Sequence, residues 1–239
     1  VSAAVTTTSS APPLRPTGGV RPGLRQALVV ALAVVSGATD AIGLLALGGA
    51  FTSVMTGNLV ILGVSASSAD GALAIASGGA ILAFCAGCAL GARLAGLPRP
   101  DDAVWPRPVT VGLAVEFVLL AGYAVGWWVT GAEPGPVVTQ VLLFAMAAAL
   151  GVQSSTVQRF GISGMSTTYL TGTLTTVVMR IVAGRAREVR SSVEIIVGLV
   201  AGAAAGAGLL LVAPLTAPIV QLAVLGGVVV AAVVVGRRR

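Results

Sequence analysis

Six stretches of this chain, near residues 26–48, 71–95, 108–130, 137–158, 192–213 and 217–236, are each about 20 apolar residues or longer. That is the length an α-helix needs to cross the roughly 30 Å hydrocarbon core of a bilayer. No other feature narrows the fold as far, because lipid tolerates only structures that pair every backbone polar group internally. The runs cannot be the core of a soluble protein either: charged residues make up 9% of the chain, against about 25% in soluble domains. The expectation is an all-α polytopic membrane protein with the lipid bilayer as its standing partner.

Two further apolar stretches, about 51–65 and 164–182, do not fit the pattern. The first is short for a span and reads FTSVMTGNLVILG from Phe51; the second is long enough but contains MSTTYLTGTLTTV, from Met165 to Val177. Arginine placement decides how they are accommodated, since short cytoplasmic loops collect basic residues. If both segments crossed fully, the loop with Arg93, Arg99 and Arg107 would lie outside. If both enter and leave on one side, that loop joins Arg15, Arg21 and Arg25, the group from Arg159 to Arg190, and Arg237 to Arg239 in the cytoplasm. The loops with Asp70, Glu133 and Pro214 to Pro218 then lie outside and carry no arginine. The expected topology is six transmembrane helices plus two re-entrant or half-helix segments, with both termini cytoplasmic.

The two motifs align at an offset of 115 residues, pairing Thr52 with Thr167, Thr56 with Thr171, Gly57 with Gly172 and Leu59 with Leu174. Each follows one long helix and precedes two more, so the chain reads as a duplication, repeat one 26–130 and repeat two 137–236. Three crossings per half would insert the second half upside down, the inverted-repeat plan recurrent in secondary transporters. Residues 1–25 are polar and rich in Pro, Ser and Thr, which reads as a disordered cytoplasmic tail ahead of a single membrane domain, 26–239. The following apolar run is too long for the core of a signal peptide.

The blocks SGATDAIGLLALGGAFTSVMTGNLVILG and GVQSSTVQRFGISGMSTTYLTGTLTTVV resemble the YoaK family, bacterial inner-membrane proteins catalogued as a domain of unknown function. The resemblance covers nearly everything beyond the N-terminal tail. It implies a multi-pass protein of the bacterial cytoplasmic membrane and supplies no substrate or reaction.

Chemistry must therefore come from the residues. Gly57 and Gly172 permit a turn or close backbone approach, and Thr56 and Thr171 are placed to cap the short helices that follow. Two such helix ends meeting near the midplane would present unpaired N–H groups to an anion. Thr52, Asn58, Thr167, Thr168 and Thr173 add hydroxyl and amide partners. The alternative is that the same groups are polar contacts holding the halves together. Asp40 lies deep in the first span beside Ser36 and Thr39; at the repeat offset its counterpart is Ser155, next to Gln153 and Ser154. Intramembrane carboxyls are costly and usually functional. Asp40 is thus a candidate for proton or cation coupling with Gln153, or else a structural partner of an arginine or a re-entrant backbone N–H; Glu116 in the third span is a second candidate. Glu194 reads as an interfacial partner of Arg187 and Arg190.

Other features read as architecture. Gly87 with Gly91, Gly122 with Gly126, and Gly198, Gly202 and Gly206 recur at spacing four, which marks close helix packing within the chain or a homodimer seam. Trp105, Trp127 and Trp128 bracket the third span like interfacial anchors. Cys85 and Cys88 sit within an apolar helix with no histidine in the chain, which favours packing over a metal or redox pair. The net charge of +6 sits in the loops, where it orients helices and does not imply nucleic acid. No nucleophile, acid–base pair, metal set or cofactor motif assembles, so an enzyme is not expected. The leading expectation is a small-solute transporter or channel, in which proton-coupled anion movement would join both clues, with a non-transporting scaffold or accessory subunit as the alternative.

Overall fold

The computed structural model describes residues 22–96, 105–159 and 170–237. Within them lie α1 (Pro22–Ala46), α2 (Met55–Ser68), α3 (Gly71–Ala95), α4 (Arg107–Val129), α5 (Pro136–Gln158), α6 (Leu170–Val182), α7 (Arg190–Val212) and α8 (Ala217–Arg237). Six of these helices are long and apolar enough to cross a membrane; α2 and α6 are shorter, at 14 and 13 residues.

Local chemistry sets the boundaries. The first helix is already formed at Pro22, the first described residue and earlier than the expected 26, and proline's fixed φ is compatible with the opening turn of a helix. Residues 22–25 are therefore helical and do not belong to a disordered tail, while 1–21 lie outside the described residues. The same helix stops at Ala46, ahead of Gly48 and Gly49 with φ of +99° and +77°, values that favour glycine. Helix α2 closes on Ala69 in the left-handed region, and Asp70 then caps α3 by accepting from Leu73 N at 3.0 Å.

Packing fixes the helix directions. Along α1 and α7, Gly198 lies against Val30, Gly202 against Val34 and Gly206 against Ala38, so these two run parallel. Along α3 and α5, Gly87 lies against Ala148 and Gly91 against Val152, again parallel. By contrast α1 is antiparallel to α5, with Ser36 beside Gln153 and Gly43 beside Leu143. Gly112 on Thr156 and Gly126 on Leu142 make α4 antiparallel to α5, and Phe117 on Gly226 with Trp127 on Pro214 make α8 antiparallel to α4. Helices α1, α4 and α7 thus point one way and α3, α5 and α8 the other.

Both parallel seams bring backbones into contact. A Cβ at Gly202 would stand 2.0 Å from the Val34 carbonyl oxygen, and one at Gly87 2.0 Å from that of Ala148. Only residues without side chains allow this approach. The expected series Gly198, Gly202, Gly206 and the pair Gly87, Gly91 therefore pack inside the chain. Gly126 meets Leu142, but Gly122 has nothing within 4 Å and does not share that contact.

The buried core runs through α1, α4, α5 and α8 and includes Trp127, which is 1% exposed. This corrects the expectation of a lipid-belt tryptophan: the Trp127 indole donates to Pro214 O at 2.9 Å and stacks at a tilt on Tyr123. Trp105 is also buried, donating to Thr110 Oγ1 at 3.1 Å, whereas Trp128 stays exposed and donates to Leu215 O. Glu194 pairs with Arg190 at 2.8 Å and accepts from Gln26. Cys85 is exposed and Cys88 half-buried, both as free thiols.

Candidate functional site

The segment between α1 and α2 is tied to α1 by one carboxylate. Asp40 Oδ1 accepts from Thr52 N at 2.8 Å, Thr52 Oγ1 at 2.9 Å and Ser53 N at 2.7 Å, while Oδ2 accepts from Ser53 Oγ at 2.5 Å. Asp40, Thr52 and Ser53 are all buried. A buried carboxylate is tolerated when donors saturate it, and four donors from two consecutive residues do so here. Of the two structural partners expected for Asp40, the backbone N–H is the one found; Ser53, half of the arrangement, carried no signal in the sequence.

Gly57 and Asn58 serve Phe51. Asn58 Oδ1 accepts from Phe51 N at 2.8 Å and Asn58 Nδ2 donates to Phe51 O at 2.7 Å, so one buried amide satisfies both backbone groups of a non-helical residue. A Cβ at Gly57 would stand 3.0 Å from the Phe51 ring, which lies across the first turn of α2. Replacing Asn58 with alanine leaves both Phe51 groups without partners and should cost about 2 kcal/mol. In a chain of this size that is a fall in detergent melting temperature of roughly 4–8 °C; an unchanged melting temperature would show that the amide holds nothing.

The threonines stand elsewhere. Helix α2 starts one residue before Thr56, its cap is Val54, and no side chain bonds there, which corrects the capping role expected for Thr56. Thr56 is exposed. In the second motif Thr171 and Gly172 are exposed in the first turn of α6 as described, and among its described polar residues only Thr173 is buried. Thr175 and Thr176 bond back to the carbonyls of Thr171 and Gly172. Thr171 is therefore inside a helix and does not cap one; Thr167 and Thr168 lie outside the described residues. Helix α2 packs on α3 and α6 on α7.

The bundle interior holds a second polar group. Gln153 Nε2 donates to Ser36 Oγ at 2.8 Å, and Gln221 Nε2 donates to Thr39 Oγ1 at 3.3 Å. Glu116 is 0% exposed, and neither of its carboxyl oxygens has a hydrogen-bond partner among the described residues. These residues come from α1, α4, α5 and α8 and sit at neighbouring depths. Gln221 was not among the expected site residues, although a lone amide in an otherwise apolar span is the kind of signal that marks one.

A family model described as "Protein of unknown function (DUF1275)" matches residues 28–233. The UPF0700 transmembrane protein YoaK of Bacillus subtilis (strain 168) is 32% identical over 150 residues, 63% of this chain. The match covers 64% of that relative's own length, a little under two thirds. No solved structure matches.

Proposed function

We propose that this chain, which belongs to the DUF1275 family of membrane proteins, carries a small solute across the bacterial cytoplasmic membrane. It does so as six crossing helices with two re-entrant segments, arranged as an inverted repeat. The observation that carries the reading is the non-helical stretch ahead of α2, bonded at the depth of Asp40. At membrane depth, irregular backbone persists only where it is buried in protein or lines a wet cavity, and transporters build their sites from such interruptions.

The helix directions support re-entry. Helices α1 and α3 are consecutive long helices of opposite direction, which supports a segment between them that makes no net crossing. The two seams support duplication residue by residue. Gly37 meets Leu199 as Gly151 meets Phe84, and Gly202 meets Val34 as Gly87 meets Ala148. Helices α3 and α7 correspond at an offset of 115 and α1 and α5 at 114, so the counterpart of Asp40 is Ser154, not Ser155. The antiparallel course of α1 and α5 supports an upside-down relation between the halves. The arginines at the ends of α3, α5 and α8 and the starts of α4 and α7 share one face, which on charge is cytoplasmic.

Labour divides within the motifs. Asp40, Thr52 and Asn58 form the frame, leaving Thr56, Thr171 and Gly172, with Thr167 and Thr168, to meet a solute. Backbone N–H groups at the start of α2 make a small anion the first class to test. In proteoliposomes challenged with inorganic anions and short carboxylates under a pH gradient, Thr56→Val and Thr171→Val should each lower flux about ten-fold, roughly 1.4 kcal/mol. Unchanged flux in both would reject the site. A specific observation favours a second reading, a non-transporting scaffold: the Asp40 carboxylate and Asn58 amide are taken up by Thr52, Ser53 and Phe51, as groups that hold structure would be. That reading predicts no flux of any probe and a constant protein partner on crosslinking.

A further inference from the structure

We infer that Glu116 is the site where a single monovalent cation, a proton or Na⁺, enters the bundle, and that Asp40 is framework. The inference deepens the transport reading, but the binding step stands apart from it.

The two intramembrane carboxyls differ in what surrounds them. Asp40 has four donors on its two oxygens, which leaves little for an arriving cation to gain. Glu116 is fully buried and has none among the described residues. An ionised carboxylate isolated in apolar surroundings is very costly, so such a group is found neutralised, by a proton or by a metal ion. Two further oxygens, on the α5 and α8 helices that pack against α4, lack partners among the described residues as well. Gly112, one turn before Glu116 on α4, lies against Thr156, and a methyl in its place would stand 2.4 Å from Thr156 Oγ1. On the other flank Phe117 covers Gly226, just over one turn beyond Gln221 on α8. The Gln221 amide nitrogen is occupied by Thr39, which leaves its Oε1 unpaired. Tyr123, two turns along the same face of α4, has an unpartnered hydroxyl. A buried carboxyl that receives no hydrogen bond among the described residues suits a small cation better than an anion.

Apart from Asp40, no charged side chain stands near this depth among the described residues. The α3 helix brings Cys85, Cys88 and Arg93, of which Cys85 and Arg93 are exposed and Cys88 is half-buried. Following α5, Arg159 reaches the Ala95 carbonyl, two turns from the level of Glu116. The first arginine of α4 is Arg107, nine residues before Glu116, and α8 carries no charged residue before Arg237. Helix α1 contributes Arg25 at its start and the saturated Asp40.

Infrared difference spectra and melting curves of the purified full chain test this, comparing wild type with Glu116→Gln and Asp40→Asn. Each is recorded with Na⁺ and with N-methylglucamine. A proton site predicts a protonated-carboxyl C=O band at neutral pH that Glu116→Gln removes and Asp40→Asn keeps. A Na⁺ site predicts a melting-temperature rise with Na⁺ that Glu116→Gln abolishes. The inference is overturned if Glu116→Gln changes neither signal, or if Asp40→Asn removes them instead. Glu116→Gln is close to isosteric and neutral; if it nonetheless failed to fold, Glu116→Asp should keep whichever signal wild type shows, and losing it would count equally against the site. Wild type showing either signal while moving no solute in liposomes would retain the cation site and discard transport.

Discussion

Valine at Gly202 should abolish recovery of folded protein, and valine at Gly87 should do the same, while valine at Gly122 should be silent. At the first two positions even a Cβ would stand 2.0 Å from a carbonyl oxygen of the facing helix, and at Gly122 nothing lies within 4 Å. A flexible side chain could yield, but here the obstacle is backbone. The helices must separate, and every other contact along the seam lengthens with them. The penalty belongs at or above the upper end of the overpacking range, about 3 kcal/mol or more, a large part of a typical protein's stability. Size-exclusion profiles after detergent extraction read this directly. Matched losses at Gly202 and Gly87 are expected because the two seams repeat one contact pattern. A monodisperse Gly202→Val protein of normal melting temperature would mean that α1 and α7 are not in contact there.

The second large effect is expected at Asp40. Asp40→Leu removes the acceptor for two buried backbone N–H groups and two hydroxyls, at about 4 kcal/mol in total. Asp40→Asn keeps a carbonyl oxygen for the Thr52 and Ser53 amides, and the Ser53 hydroxyl can reverse to accept, so its cost should be roughly 1–2 kcal/mol. Limited proteolysis within 47–54 should follow the same order, with Leu cut fastest, Asn slower and wild type resistant. Equal protection of the Leu and Asn variants would contradict the tie. Since cation uptake is assigned to Glu116, Asp40→Asn should also retain any coupling that wild type shows.

The crossing helices were legible because a bilayer leaves little choice: length and apolarity define a span, and all six lie within a few residues of where hydropathy puts them. What escaped was mostly partner identity. A tryptophan at the end of a span looks the same whether it faces lipid or, like Trp127, reaches a carbonyl in the next connection. Ser53 gave no cue because a serine beside Thr52 reads as ordinary loop. Gln221 stood out only once α8 was seen against α1 and α4. The motif offset of 115 does not carry over to the contacts of α1 and α5, which correspond at 114, so the residue matched to Asp40 shifts by one from Ser155 to Ser154. Thr56 and Thr171 looked like caps from their position before a glycine, yet the helices as described begin earlier.

Whether α2 turns back or crosses is best tested with single cysteines at Gly23 and at Asp70, in a chain whose Cys85 and Cys88 are alanine, probed with an impermeant maleimide in right-side-out and inverted vesicles. A segment that enters and leaves on one face puts the two positions on opposite sides of the membrane, so each should label in a different vesicle preparation. Labelling of both in the same preparation would mean that α2 spans the bilayer, and the six-crossing inverted arrangement would fall.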